Sequence, residues 1–178
     1  MFIELLSSRR SIRKFKDQPV EKEKIDLLVE AALRSPSSRS LNPWEFMVVT
    51  DRALLGAMAG CKPHGASFLK EAPLGMVVLA DPDRCDVWVE DCPIASIFIH
   101  LAAHSLGLGS CWIQVRKRTY AGDTSAGQHL AGLLDIPVGR EVESIIAVGY
   151  PDMTLSGHAS GSLPDHKVHW QKYGAVYK

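Results

Sequence analysis

Arg9-Arg10-Ser11-Ile12-Arg13-Lys14-Phe15 is the stretch on which the reading of this chain turns, a short cationic run with one hydroxyl between two helical patterns. If the run is extended, its side chains alternate, so Arg9, Ser11 and Arg13 share one face while Arg10, Ile12 and Lys14 share the other. Two permanent guanidinium charges then flank a hydroxyl. Such a face suits a phosphate, because guanidinium presents a planar fork of donors matched to phosphate oxygens and does not lose its proton. Taken alone, the heptapeptide also reads as a solvated basic loop. The rest of the chain decides between the two.

Outward from this run, composition sets the bounds. A chain of 178 residues reads as a single domain over 1–178, large enough to bury a core without disulfide staples. Twenty acidic against twenty basic residues and 46 % apolar content describe an ordinary globular protein, without the charge excess that attracts nucleic acid. The basic run is local. Cys61, Cys85, Cys92 and Cys111 form no C-x-x-C pair, so zinc and dithiol chemistry find no support and free thiols in a reducing cytoplasm are expected. The start, Met-Phe-Ile-Glu-Leu-Leu-Ser-Ser-Arg-Arg, places its cations after a short apolar segment, the reverse of a secretory signal. No apolar run approaches the roughly 20 residues that span a membrane.

Periodicity places the elements. Phe2, Ile3, Leu5 and Leu6 suggest a short helix before the basic run. Ile25, Leu28, Val29 and Ala32 recur at helical spacing and predict a helix that stops at Ser35-Pro36. A loop of Ser, Pro and Asn then leads from Ser35 to Pro43, Trp44 and a strand over Phe46 to Thr50. Leu74 to Ala80 is a second strand, entered by Pro73. From Val89 to Leu106 the chain is apolar nearly all round, which predicts a long helix buried on most faces, with Gly107 at its C-terminal cap. Gly109 allows close approach before a strand over Cys111 to Val115; a helix over Gly127 to Leu134 and a strand over Glu143 to Val148 follow. The polar segment after Asp152 ends in Trp170, Tyr173 and Tyr177, aromatics suited to docking elsewhere, a second subunit being one candidate.

Several motifs lead nowhere. Gly107-Leu108-Gly109 ends a helix and opens a strand, the reverse of a dinucleotide-binding loop, and no Walker sequence occurs. His100 and His104 share a helix face but lack the Glu of a zinc protease, so they read as boundary histidines or dimer contacts without metal. Neither Ser37 nor Ser38 sits in a nucleophile elbow, and Asp91, Cys92, His158, His166 and His169 lack metal-like spacing. No side chain is read as catalytic.

Three separated pieces remain: the Arg/Ser run, the Ser35-Pro36-Ser37-Ser38 loop leading to Pro43-Trp44-Glu45-Phe46, and Gly107-Leu108-Gly109-Ser110-Cys111-Trp112, with Gly149-Tyr150-Pro151 after them. Together and in this order they resemble the flavin-dependent nitroreductase family, over nearly the whole chain. The resemblance implies an α+β fold with a central mixed β-sheet flanked by helices, assembled as an intertwined homodimer. It implies FMN as cofactor and NADH or NADPH as donor, with hydride passing through flavin N5 in a ping-pong cycle to a nitroaromatic, quinone or enone. By similarity, Arg9, Arg10, Ser11 and Arg13 hold the phosphate and ribityl end. Pro36, Ser37, Ser38 and Ser40 come from the second subunit against the ring, and Gln114 and Val115 meet the flavin edge. FMN chemistry agrees: it needs a cationic clamp, donors along the ribityl chain and a backbone N–H near N5. Two departures stand out. Ser40 occupies a position where many relatives carry Asn, and no Lys or Arg lies between Glu141 and His166 to complete the phosphate site. A flavin-binding or ligand-sensing dimer without turnover is the alternative reading.

Overall fold

A computed structural model describes residues 1–177. In chain order it contains α1 (Phe2–Ser8), α2 (Lys22–Leu33), β1 (Trp44–Val49), α3 (Arg52–Met58), β2 (Leu74–Ala80), α4 (Trp88–Ser105), β3 (Gly109–Gln114), β4 (Thr119–Ala121), β5 (Thr124–Ser125), α5 (Ala126–Leu133) and β6 (Glu141–Gly149). The main sheet has the order β1-β2-β6-β3 with antiparallel neighbours throughout. A single parallel bridge, Ser11 to Ser110, attaches the basic run to the outer edge of β3 and makes the pairing mixed. The fold is α+β.

Helices cover both faces of the sheet, which is why every residue of β2 is buried and its sequence is continuously apolar. On one side, α2 and α4 pack with Leu28, Ala32, Ile99, Met76, Ile146 and Val148. On the other, α3 and α5 enclose Ile12, Phe15, Leu55, Leu130, Ile113 and Ile145. The basic run is therefore anchored: Ile12 and Phe15 are buried in that second core, while Arg13 and Lys14 remain exposed.

Helix α4 departs from the expectation of burial on most faces. Asp91, Cys92, Ala95, Ser96, Ile99, His100 and Ala103 are buried, but Ile94, Ile97 and Phe98 are exposed in the single chain. Phe2, Ile3 and Leu6 of α1 and Leu27 and Leu33 of α2 are exposed as well. The C-terminal cap forms as read: Gly107 adopts φ +75°, its N–H reaches the His104 C=O at 3.1 Å, and the Leu108 N–H reaches the Ala103 C=O at 2.9 Å. Helix α3 is absent from the sequence reading; Asp51 caps it by accepting the Leu54 N–H at 2.7 Å. All four cysteines are free and buried. Among the described residues no helix is long and apolar enough to cross a membrane.

Candidate active site

The basic run is held to the sheet by its backbone. Ile12 N–H donates to the Ser110 C=O at 3.0 Å, Lys16 N–H to the Tyr150 C=O at 2.9 Å, and Asp152 N–H to the Lys14 C=O at 3.0 Å. These bonds impose the alternation read from the sequence. Arg9, Ser11 and Arg13 lie close enough to Cys111 to act on its thiol, which burial pushes up and Arg13, Ser11 and Arg9 draw back down. Arg10 lies on the opposite face, where its Nη1 donates to the Ser156 C=O and it lines a cavity of about 270 Å³ with Ser8, His104 and Met153. The structure thus gathers three of the four residues of the expected clamp and turns Arg10 away from them.

Beside the clamp runs the open edge of the sheet. Ser110 directs its C=O outward to Ile12, so by strand alternation Trp112 and Gln114 direct their backbone groups outward too. Lys62 confirms that direction by donating from Nζ to the Gln114 C=O at 2.7 Å. Burial, with the like charge of Arg118, holds the Lys62 ammonium below its ordinary range. The Arg13 guanidinium lies 5.9 Å from the centre of the Phe68 ring. Clamp, strand edge, Lys62 and Phe68 therefore border one region.

The two expected contacts at the end of β3 divide. Gln114 offers its backbone outward, but its side chain turns inward, accepting from Trp112 Nε1 at 3.0 Å and donating to the Arg116 C=O at 3.1 Å. Val115 directs its N–H inward to the Glu143 C=O at 3.1 Å. Glu143 is buried, and burial raises its carboxyl affinity for protons, against the opposing pull of Gln114 and Arg116. Its Oε2 accepts no hydrogen bond, since Arg116 Nε stands 3.9 Å away, within ion-pair reach only.

The serine loop is built around backbone strain. Arg39, Ser40 and Asn42 all have positive φ, at 51°, 53° and 47°, a region costly for residues with a Cβ. Side-chain anchors hold it there. Ser38 N–H donates to Asp91 Oδ1 at 2.9 Å, Arg39 pairs with Asp86, and Ser37 Oγ accepts the Asn42 N–H at 2.9 Å. Pro36 and Ser40 are exposed, Ser37 and Ser38 half-buried. Asp91, given no chemistry by the sequence, is the buried carboxylate that fixes the loop.

Loop and clamp do not meet within one chain. Asp91 lies in the first turn of α4, whereas His104, in its last turn, touches Ser8 beside the clamp. Thirteen helical residues put about 20 Å between them.

Residues 6–63 and 61–150 match the sequence model of the nitroreductase family. The chain belongs to that family. An FMN-dependent nitroreductase from Clostridium difficile R20291 superposes with a TM-score of 0.95 at 46 % identity, covering 96 % of this chain and 99 % of its own. A Methanothermobacter thermautotrophicus protein, provisionally named NADH dehydrogenase/NAD(P)H nitroreductase, is 40 % identical over 152 residues, 84 % of this chain and 76 % of its own. A Bacillus subtilis FMN reductase [NAD(P)H] is 28 % identical over 142 residues, 77 % of this chain and 53 % of its own. In this nitroreductase-family chain, folding adds Lys62, Phe68, Asp91 and Cys111 to the residues expected at the site. Lys62 and Phe68 fall in the Gly60 to Phe68 stretch that the family resemblance reads as a lid, Cys111 lies in the quoted turn, and Asp91, given no chemistry by its spacing, is joined to the serine loop only by folding.

Proposed function

We propose that the protein is a homodimeric FMN-dependent oxidoreductase that takes reducing equivalents from NADH or NADPH and reduces a small electrophilic acceptor, a nitroaromatic, quinone or enone. The observation that carries this reading is the convergence of Arg9, Ser11 and Arg13 beside the outward-facing backbone edge of β3. The residues present fit FMN. Two fixed cations and a hydroxyl match a phosphate, and the outward edge of β3, whose Ser110 and Gln114 C=O groups are taken by Ile12 and Lys62, turns N–H donors toward the polar rim that a flavin ring presents. When bound, FMN supplies the two-electron chemistry, accepting hydride from the nicotinamide and passing electrons to the second substrate in ping-pong order.

The chain's own residues bind and orient. Arg9, Ser11 and Arg13 hold the phosphate end, with Arg10 supporting them from behind through its bond to the Ser156 C=O. Gln114, through its backbone, and Val115, by closing the β3 end onto Glu143, set the ring edge. Pro36, Ser37, Ser38 and Ser40 reach the ring from a second copy, a reading supported by the separation of about 20 Å along α4 and by the exposed apolar residues of α1, α2 and α4. No side chain has to serve as acid, base or nucleophile.

Purified protein should be yellow, and anaerobic NADH or NADPH should bleach the oxidised-flavin absorbance. A folded protein that is colourless and refuses added FMN overturns the proposal; bound flavin that neither donor bleaches indicates a binding module without turnover. Arg9→Ala should weaken FMN about 10- to 100-fold, the worth of a charged hydrogen bond. Retention of FMN equal to wild type through gel filtration at high salt would remove Arg9 from the clamp.

A further inference from the structure

His100 and His104 lie four residues apart on one face of α4, with no third ligand to make them a metal site among the described residues. Each finds a hydroxyl instead. His104 Nε2 is 2.9 Å from Ser8 Oγ, and His100 Nδ1 is 2.7 Å from Ser110 Oγ. The identity of those hydroxyls matters. Ser8 ends α1 and immediately precedes Arg9, while Ser110 is the residue bridged to Ser11 and accepts the Ile12 N–H through its C=O. The two rings therefore grip both positions that bracket the clamp, one in sequence and one across the strand bridge.

We propose that His100 and His104 are positioning residues for the cofactor phosphate, holding Ser8 and Ser110 so that Arg9 and Ser11 present their donors to one anion. This rests on the FMN reading of the clamp. Orienting a guanidinium fork matters more for a phosphate than for a neutral ligand, because two donors must meet two oxygens at once. Neutral imidazole is the suitable support: burial, helped by the Arg9 charge, pushes His100 down to about 4, so at neutral pH it adds no competing cation beside the clamp. Half-buried His104 reaches its serine from the flank, where a substitution leaves the core intact.

The test compares FMN with riboflavin, which carries the same ring and ribityl chain without the phosphate, by flavin-fluorescence titration of the apoprotein at fixed salt. His104→Leu and His100→Leu should each weaken FMN about tenfold, the equivalent of one hydrogen bond, while riboflavin affinity changes less than about twofold. His104→Gln and His100→Asn, which keep a polar atom near the lost ring nitrogen, should restore FMN to within about threefold of wild type. Parallel loss of FMN and riboflavin, or no loss of either in His104→Leu, overturns the proposal and leaves the rings as packing. Failure of the wild-type protein to bind FMN while folded overturns the reading of the clamp itself, an outcome separate from the first.

Discussion

Glu143 is a buried carboxylate near the site whose Oε2 lacks a hydrogen bond and stands 3.9 Å from Arg116 Nε. Burial favours its neutral form, so folding holds a proton that the unfolded chain releases in the ordinary carboxylate range. The stability this neutral carboxyl contributes is complete below that range and is lost as pH rises through the raised folded value. Glu143→Gln, neutral throughout, should match wild type near pH 4 and exceed its Tm by a few degrees near pH 8. Thermal melts of both proteins across that range check it; an offset that does not change with pH would show that Arg116 already balances the charge. Residue-scale reading from sequence went as far as strand alternation allows. Alternation grouped Arg9, Ser11 and Arg13 and set Arg10 apart, as the structure has it, whereas family resemblance added Arg10 to the clamp. Nothing local marked Glu143, because its burial comes from α4 and the end of β3, distant in the chain.

At the scale of elements, the approach of the basic run to β3 depends on Gly109. A Cβ built there falls 2.8 Å from three carbons of Ile12, closer than real side chains come. Gly109→Ala should push the run off the strand edge, costing about 1–3 kcal/mol of stability and weakening FMN. Adding Ile12→Ala should recover part of both. Urea unfolding and flavin titration of single and double variants measure this, and wild-type behaviour of Gly109→Ala would mean that the run has room to move. Element positions were largely legible: the helices at α2, α4 and α5 and the four main strands lie within a few residues of their periodic patterns. Strand β3 starts at Gly109 instead of Cys111, since pairing with β6 begins at Gly149. Helix α3 escaped because seven residues containing Gly56 show too little periodicity, and its stability comes from packing Leu55 and Met58.

For the whole molecule, the decisive feature is the apolar surface left by a single copy. Ile97 is 50 % exposed on α4, near Phe98 and the α1 side chains that border a cavity of about 450 Å³ with Leu101 and Ala102. If the proposed dimer buries this surface, Ile97→Glu should yield a monomer in analytical ultracentrifugation and release FMN, with affinity at least tenfold weaker, because a charge in a dehydrated interface is costly and the proposed contact of the serine loop with the second copy's clamp is lost. A variant that stays dimeric and yellow would move the interface elsewhere. From its residues alone, the chain determined its helices other than α3 and the four main strands, where the long helix is capped, and that Arg9 and Arg13 share a face of the basic run opposite Arg10, since these follow from periods of two and 3.6 and from single-residue backbone preferences. Tertiary structure decided that Arg10 turns to the Ser156 carbonyl, that Lys62 reaches β3, and that the serine loop stands about 20 Å along α4 from the clamp. Those are contacts between segments 50 or more residues apart, and no local pattern encodes which distant surfaces are brought together when apolar faces are buried.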